Sequence, residues 1–287
     1  MSTVGRVIEL WRYPVKSMGG ERLERCSLGP RGIPADRGWA LRDEAAGEIR
    51  GAKKMPVLMR CRARYDEEPA GERVPTATMT LPDGSQVRTT DADAAARLSA
   101  LIGRTVTLWP IQSPDQRDHY RRGTPDNADM ETELREIMGR LPDEPLPDFS
   151  ALPPELFEFT SPLGTYFDAF PVHVLTTASL RLLATRNPAA RFDRRRFRPN
   201  VLVEPIDPDG GLIEAGWVGR ELRVGGAVLR VAMGAMRCSM TTQPVEELGK
   251  DPSVLRTIVR DANQNLGVYA TVERAGPVSV GDPVELV

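Results

Sequence analysis

The sequence predicts a mixed, β-dominated α+β chain built as two domains. Three observations predict it. Short strand-like segments with glycine turns recur along most of the chain, few stretches show helical periodicity, and 287 residues are more than one compact core usually holds. Charge narrows the function classes, because 38 basic side chains nearly cancel 40 acidic ones and leave a net charge of -2. That balance lacks the whole-surface basic field of non-specific nucleic-acid binding. No run approaches the roughly 20 apolar residues of a membrane helix. The opening "MSTVGRVIELWRYPVKS" enters a strand-like pattern without the zones of a signal peptide. A soluble, cytoplasmic protein is expected, with neither nucleic acid nor membrane as partner.

The elements follow in order. Val4 to Pro14 reads as extended and ends at Tyr13-Pro14, since proline biases the residue before it away from helix. Strands are expected at Gly38 to Asp43, Val57 to Arg64, Thr76 to Leu81 and Gln86 to Thr89, with "PDG" turning the last pair. "TTDADAAARLSALIG" is a helix with Thr/Asp cap candidates and a stop at Gly103. From 111 to 165 prolines, acids and glycines are dense, and only Met130 to Met138 has helical periodicity, which suggests a linker or surface excursion. Beyond it, "VHVLTTASLRLLATRN" is a strand whose Thr176 or Thr177 caps a helix. "NVLVEP", "RELRVGGAVLRVAM", "LGVYATVERAG" and "SVGDPVELV" supply further strands, and "DPSVLRTIVRDAN" is a helix opened by Asp251 and Pro252. Short strands with glycine turns and few helices suggest a barrel-like sheet. The expected division is 1–110, 111–165 and 166–287.

Candidate chemistry starts at "MRCSMTTQP". Cys238 follows Arg237, whose charge favours a thiolate, and precedes the hydroxyls of Ser239, Thr241 and Thr242. It reads as a buried filler, a nucleophile or a soft-metal ligand, and burial is the commoner fate of a free cysteine. Cys26 and Cys61 lie in apolar strand-like contexts and read as core. Three scattered cysteines support neither a disulfide framework nor a CxxC zinc site. "RFDRRRFRPN" gathers arginines whose forks suit phosphate oxygens, although charge runs usually face water. Arg198 stands apart, because Pro199-Asn200 places it at a strand entrance. "YPVKSMGGERL" sets Lys16 and Ser17 before two glycines, and "PADRGW" adds Arg37; read singly, these charges are ordinary surface residues. Neither a Walker loop nor a GxGxxG turn is present, and His119 and His173 lie in contexts that do not suggest a Ser-His-acid triad.

Together these pieces resemble the MOSC family, named for the C-terminal domain of molybdenum cofactor sulfurase, in its two-part form. "LWRYPVKS", "DRGWAL" and "GAKKMPVLM" are similar to its N-terminal β-rich domain, and "FRPNVLVE", "MRCSMTTQP", "LGVYATV" and "VSVGDPVEL" to the MOSC β-barrel. The resemblance implies a molybdenum–molybdopterin cofactor with Cys238 as the thiolate ligand. It implies that Lys16, Ser17, Arg37, Arg198 and Asn200 hold the pterin and its phosphate, with Arg237 and Tyr269 flanking the metal. Asp168 is matched as a third catalytic position, and Thr177 as a cofactor contact by its place at a strand-to-helix turn. Where the family has a small hydroxyl two residues before the cysteine, this chain has Met236. The implied activity is oxo transfer on a small molecule, such as reduction of N-hydroxylated compounds, with electrons from a separate reductase, ferredoxin or cytochrome-type protein. Neither pyridoxal phosphate nor an iron–sulfur cluster in this chain is expected. The alternative is a cofactor-carrier or sulfur-transfer module that uses Cys238 as a persulfide.

Overall fold

The computed structural model describes residues 2–71 and 73–287. The first part of the chain contributes β1 (Ser2–Arg12), β2 (Glu21–Leu23), β3 (Arg25–Leu28), β4 (Trp39–Asp43) and β5 (Glu48–Arg50). It continues through β6 (Arg62–Tyr65), β7 (Ala77–Thr80), β8 (Gln86–Arg88), α1 (Ala94–Ile102) and β9 (Val106–Pro110). Next come α2 (Arg117–Tyr120) and α3 (Met130–Met138). The last part holds β10 (Val172–Thr176), α4 (Thr177–Arg186), β11 (Val201–Pro205), β12 (Glu221–Val224) and β13 (Ala227–Met236). It ends with α5 (Pro252–Asp261), β14 (Asn265–Arg274), β15 (Gly276–Ser279) and β16 (Pro283–Leu286).

Seven strands close a barrel in the order β11, β10, β14, β13, β12, β16, β1, with β1 pairing back onto β11. Only β10 and β11 run parallel among these pairs. A barrel this small is filled by side chains. Along β13 burial alternates with period two, so Ala227, Leu229, Val231, Met233 and Ala235 are buried. Val7, Leu10, Val174, Val203 and Val268 join the same core. The barrel thus takes one stave from the first eleven strand residues of the chain. Val7 faces Val203 and Leu10 faces Val201, with a register shift between Val7 and Glu9.

The remaining first-part strands form two three-stranded sheets, β5-β4-β9 and β6-β7-β8, over a core that includes Leu41, Leu58, Met79 and Leu98. The strand expected at Val57 to Arg64 is a 3-10 helix over Pro56–Arg60 followed by β6. Pro56 fixes a helical φ at the first turn, and that turn drives Leu58 and Met59 into the core. α1 stops at Gly103, which takes the left-handed conformation that favours glycine, φ 75°. Thr176 is the cap of α4, its Oγ1 accepting from the Ser179 N–H at 3.2 Å, and Thr177 is the first helical residue.

Residues 111–165 pack against both parts. Tyr120, Phe159 and Tyr166 share a buried cluster with Ala40 and Ile49. Asp126 pairs with Arg50 at 2.7 Å and Glu133 with Lys54 at 2.6 Å. Among the described residues no helix is long and apolar enough to cross a membrane.

Candidate active site

Where β1 leaves the barrel, Tyr13-Pro14 turns the chain and the next residues line the rim. The turn is held by one side-chain and one main-chain bond. Asp36 Oδ1 accepts from the Tyr13 N–H at 2.7 Å, and the Arg37 N–H donates to the Tyr13 carbonyl at 2.7 Å. Ser17 and Arg37 both have positive φ, 72° and 54°, as does Arg198 at 55°. Such backbone costs a non-glycine residue on the order of 1 kcal/mol or more and tends to collect at ligand-holding positions. Three of the residues proposed from sequence therefore share one uncommon conformation. Ser17 Oγ accepts from the Ala52 N–H at 2.8 Å, and a Cβ on Gly51 would lie 2.5 Å from that oxygen. The bond uses a lone pair of Ser17 and leaves its proton unspent.

The cations converge. Lys16 is buried, and its Nζ donates to the Tyr166 carbonyl at 2.7 Å and pairs with Asp168 at 2.8 Å. Arg37 pairs with Asp36. Arg37 Cζ lies 5.1 Å from the Tyr13 ring centroid and Arg198 Cζ lies 4.3 Å from it, so one aromatic ring carries two guanidinium groups. Burial, then the charge of Arg37, lowers Arg198 to about 10. Like charges gathered without water are a cost that an anion would relieve. Arg198 spends one donor on the Met18 carbonyl.

Asn200 ties the two parts of the chain together. Its Nδ2 donates to Asp36 Oδ2 at 2.8 Å and to the Trp11 carbonyl at 3.2 Å, while Oδ1 accepts from the His173 N–H at 3.1 Å. Both amide donors are spent inside the protein, so only a spare lone pair on Oδ1 is left for a ligand. Arg237 is likewise turned inward. Its Nε donates to the Leu266 carbonyl at 2.9 Å, Nη1 reaches the Phe197 carbonyl at 3.4 Å, and Nη2 bonds His173 Nε2. Burial, then Arg237, holds His173 well below the usual histidine range, which keeps the imidazole neutral to accept from the guanidinium.

Cys238 lies past the end of β13 and opens a 3-10 turn over Ser239–Thr242, its carbonyl accepting from Thr241 Oγ1 at 3.0 Å. The thiol is half-buried. Cys61 is buried, and burial pushes its thiol up to about 12; Cys26, packed against the barrel core, is pushed up to about 11 for the same reason. Asp168 is 49% exposed along its side chain. Burial works to raise its pKa, but Lys16, Lys53 and Arg37 together hold it well below the carboxylate range. Lys53 is raised by Asp168 foremost, with Cys238 and Tyr269 adding to the effect. Tyr269 stacks on Phe170 with ring centroids 5.7 Å apart, and burial raises its hydroxyl. Thr177 presents a buried Oγ1 with no hydrogen-bond partner among the described residues.

Sequence reasoning missed four contributors. Lys53 sits within the "GAKKMP" stretch, yet nothing in its local pattern separates it from Lys54, which turns to Glu133. Asp36 precedes Arg37, and its side chain is fully buried. Tyr13 and His173 read as a strand end and a core position. A cavity of about 480 Å³ adjoins the cluster, lined by Tyr13, Arg198, Gly20, Trp11 and Leu180 among others. Cys238, Lys16 and Asp168 are not in its lining.

The barrel and its rim define a class. The MOSC N-terminal beta barrel domain profile matches residues 4–119 and the MOSC domain profile matches residues 164–285. The chain belongs to the MOSC family in its two-domain form, among proteins of molybdenum-cofactor-related function. It is 26% identical over 309 residues to mitochondrial amidoxime reducing component 2 of Rattus norvegicus, covering 99% of this chain and 84% of that protein. It is also 26% identical over 314 residues to mitochondrial amidoxime-reducing component 1 of Homo sapiens, covering 100% of this chain and 84% of that one. Among solved structures, the YUAD protein from Bacillus subtilis aligns over 100% of this chain and 97% of that one, with a TM-score of 0.44 at 11% identity.

The residues present fit a pterin-borne metal. Among the described residues no group of three or more His, Cys, Asp and Glu could hold an ion by itself. The half-buried Cys238 thiol suits a metal that arrives with its own sulfur donors, and the cations beside the unspent hydroxyl of Ser17 suit the phosphate such a cofactor carries.

Proposed function

We propose that this protein is an oxidoreductase that binds the molybdenum–molybdopterin cofactor and reduces N-hydroxylated small molecules, with Cys238 as the metal's protein ligand. One observation carries the reading. Lys16, Ser17 and Arg37 from the first part of the chain meet Arg198 from the second at a rim where three of the four have positive φ. Residues this far apart in sequence, three of them in costly conformations and two of them sharing the Tyr13 ring, support the reading of a built binding site.

In this reading Lys16, Ser17, Arg37, Arg198 and Thr177 hold the pterin and its phosphate. Asn200 and Arg237 shape the pocket from behind, through Asp36 and through His173 and the Leu266 carbonyl. The bound cofactor supplies two-electron oxo-transfer chemistry. Breaking the N–O bond of an N-hydroxylated substrate consumes two electrons and two protons and releases water. Tyr269, whose hydroxyl burial keeps protonated, is the proton donor in this reading. Asp168, kept ionised by Lys16 and Lys53, serves as an anchor and acceptor and holds no proton to give at neutral pH. We further propose the functional division 1–110, 111–165 and 166–287 with β1 lent to the barrel, a cytoplasmic site of action, and electrons from a separate donor protein of reductase, ferredoxin or cytochrome type.

The test is molybdenum per chain in protein purified from a host that makes the cofactor, comparing wild type with Cys238→Ala. Near-stoichiometric metal that falls sharply in the variant, with reduction of N-hydroxylated compounds by the wild type, is expected. Little metal in either, together with a persulfide on Cys238 seen by mass spectrometry, would replace this reading with a carrier or sulfur-transfer module.

A further inference from the structure

The peptide that carries the Cys238 thiol is gripped from outside the barrel. Arg140, just beyond α3, is only 6% exposed. Its Nη2 donates to the Arg237 carbonyl at 2.9 Å, its Nε to Gln264 Oε1 at 2.9 Å, and its Nη1 to the Met138 carbonyl at 2.5 Å. The Arg237 carbonyl belongs to the same peptide unit as the Cys238 nitrogen. On the other side of the thiol, Ser239 Oγ donates to the Ile137 carbonyl at 2.8 Å. Residues 137 and 140 therefore hold residues 239 and 237, one on each flank of Cys238.

Contact along this line is close. Gly139 has φ 63°, and a Cβ there would lie 3.1 Å from Ser239 Cα and 2.9 Å from Leu255 Cδ2. Arg256 of α5 donates to the Gly139 carbonyl and pairs with Glu144, while Lys54 pairs with Glu133 at the far end of α3. The strap is thus bolted to both parts of the chain. The barrel alone gives the thiol little regular support. The β13–β14 register shifts between Gly234 and Met236, and Asn263 and Gln264 at the hairpin end have φ 44° and 67°. The last ladder bond is that of the Arg237 N–H to the Gln264 carbonyl at 2.9 Å, and the peptide beyond it takes its orientation from the 3-10 turn it opens and from the side-chain bonds it accepts.

We propose that residues 137–140 form a positioning strap for Cys238, with Arg140 as the positioning residue that sets the plane of the peptide entering the cysteine and so the direction of its thiol. The proposal rests on the reading of Cys238 as the functional thiol, but its test does not require the metal. A guanidinium bond to a buried carbonyl is charge-assisted and among the stronger kinds, and two of the Arg140 bonds join the two strand ends that meet at Cys238.

The experiment uses the full-length, cofactor-free chain treated with iodoacetamide, with alkylation at Cys238 and Cys61 followed separately by peptide mass spectrometry. Arg140→Met is expected to speed alkylation of Cys238 about tenfold, the factor given by about 1.4 kcal/mol of lost local bonding, while buried Cys61 stays protected. Arg140→Lys, able to reach one carbonyl, is expected to fall between Met and wild type. A wild-type rate at Cys238 in Arg140→Met, with Cys61 protected, overturns the proposal. If Arg140→Met exposes Cys61 as well, Ser239→Ala decides. Faster alkylation confined to Cys238 supports the strap, and a wild-type rate overturns it. Molybdenum content of the loaded wild type judges the functional reading separately, so the failure of one is distinguishable from the failure of the other.

Discussion

Lys16 Nζ stands 2.8 Å from Asp168 Oδ1, an ion pair that spans 152 positions of sequence and joins the turn after β1 to the segment that leads into β10. The partners differ in setting, since the Lys16 side chain is 9% exposed and that of Asp168 49%. Burial lowers the Lys16 pKa even against the attraction of Asp168, so the lysine is the member that bears the cost of the pair. Removing Asp168 leaves a buried ammonium without its counter-charge, bonded to the Tyr166 carbonyl alone.

Asp168→Asn is accordingly expected to destabilise the fold by about 1–2 kcal/mol at neutral pH, less than a fully buried pair would cost because the carboxylate is open to water. The sign of its pH dependence follows from a folded pKa below the unfolded one. The carboxylate adds stability above its unfolded pKa of about 4, and that contribution is lost as pH falls through and below that value. Urea denaturation at neutral pH and near pH 3 should show the wild-type advantage over Asp168→Asn shrinking in acid. An equal gap at both would refute it.

Asp36 and Asn200 form another tie between the two parts of the chain, at 2.8 Å. Asp36→Ala would leave the Tyr13 N–H, one Asn200 donor and the Arg37 guanidinium without their acceptor, and a loss of about 3 kcal/mol is expected. Asn200→Ala frees its partners in the same network, so the two substitutions should be non-additive by about 1 kcal/mol or more. A double-mutant cycle by chemical denaturation measures this, and strict additivity would mean the contact is energetically idle.

Glu214 is a buried carboxyl that accepts from Thr176 Oγ1 at 2.8 Å and from Ser179 Oγ at 2.7 Å, and burial raises its pKa despite those bonds. An acid raised on folding favours the folded state only while it keeps its proton. Stability should therefore decline as pH rises from the unfolded value of about 4.3 through the folded one. Glu214→Gln removes that titration, and its stability curve should be flatter than wild type over the same range, as read by thermal melts at pH 4.5 and higher. Parallel curves would show that the carboxyl does not titrate in this window.

Much of this fold was legible locally. α3 runs over Met130–Met138 where apolar periodicity put it, and α5 begins after an Asp251 cap that accepts from the Ser253 N–H at 3.0 Å. What misled was proline. At Pro56 it opened a 3-10 turn inside a β-rich composition, because its fixed φ served the burial of Leu58 and Met59 better than an extended run would. The site was legible only as parts. Lys16, Arg37 and Arg198 are ordinary charges in their own neighbourhoods, and their meeting depends on β1 pairing with β11 across the length of the chain. No periodicity encodes that pairing. Lys53, Asp36 and the grip of Arg140 on the Cys238 peptide escaped for the same reason, since each acts through a partner distant in sequence.

Thr177 offers a test whose two arms move in opposite directions. Its Oγ1 is buried without a partner among the described residues, at the first position of α4. An unsatisfied buried hydroxyl costs about 1 kcal/mol or more, and valine keeps the shape while removing the polar atom. Thr177→Val is therefore expected to raise the stability of the cofactor-free protein by about 1 kcal/mol, shifting its melting temperature upward by a few degrees. If the hydroxyl exists to meet the cofactor, the same variant should hold pterin more weakly, measured by pterin fluorescence and molybdenum retained after dialysis. Higher apo stability with unchanged retention would leave Thr177 outside the site. Lower apo stability would mean that the hydroxyl already has a partner when the site is empty, and that its bond contributes to the fold instead of waiting for a ligand.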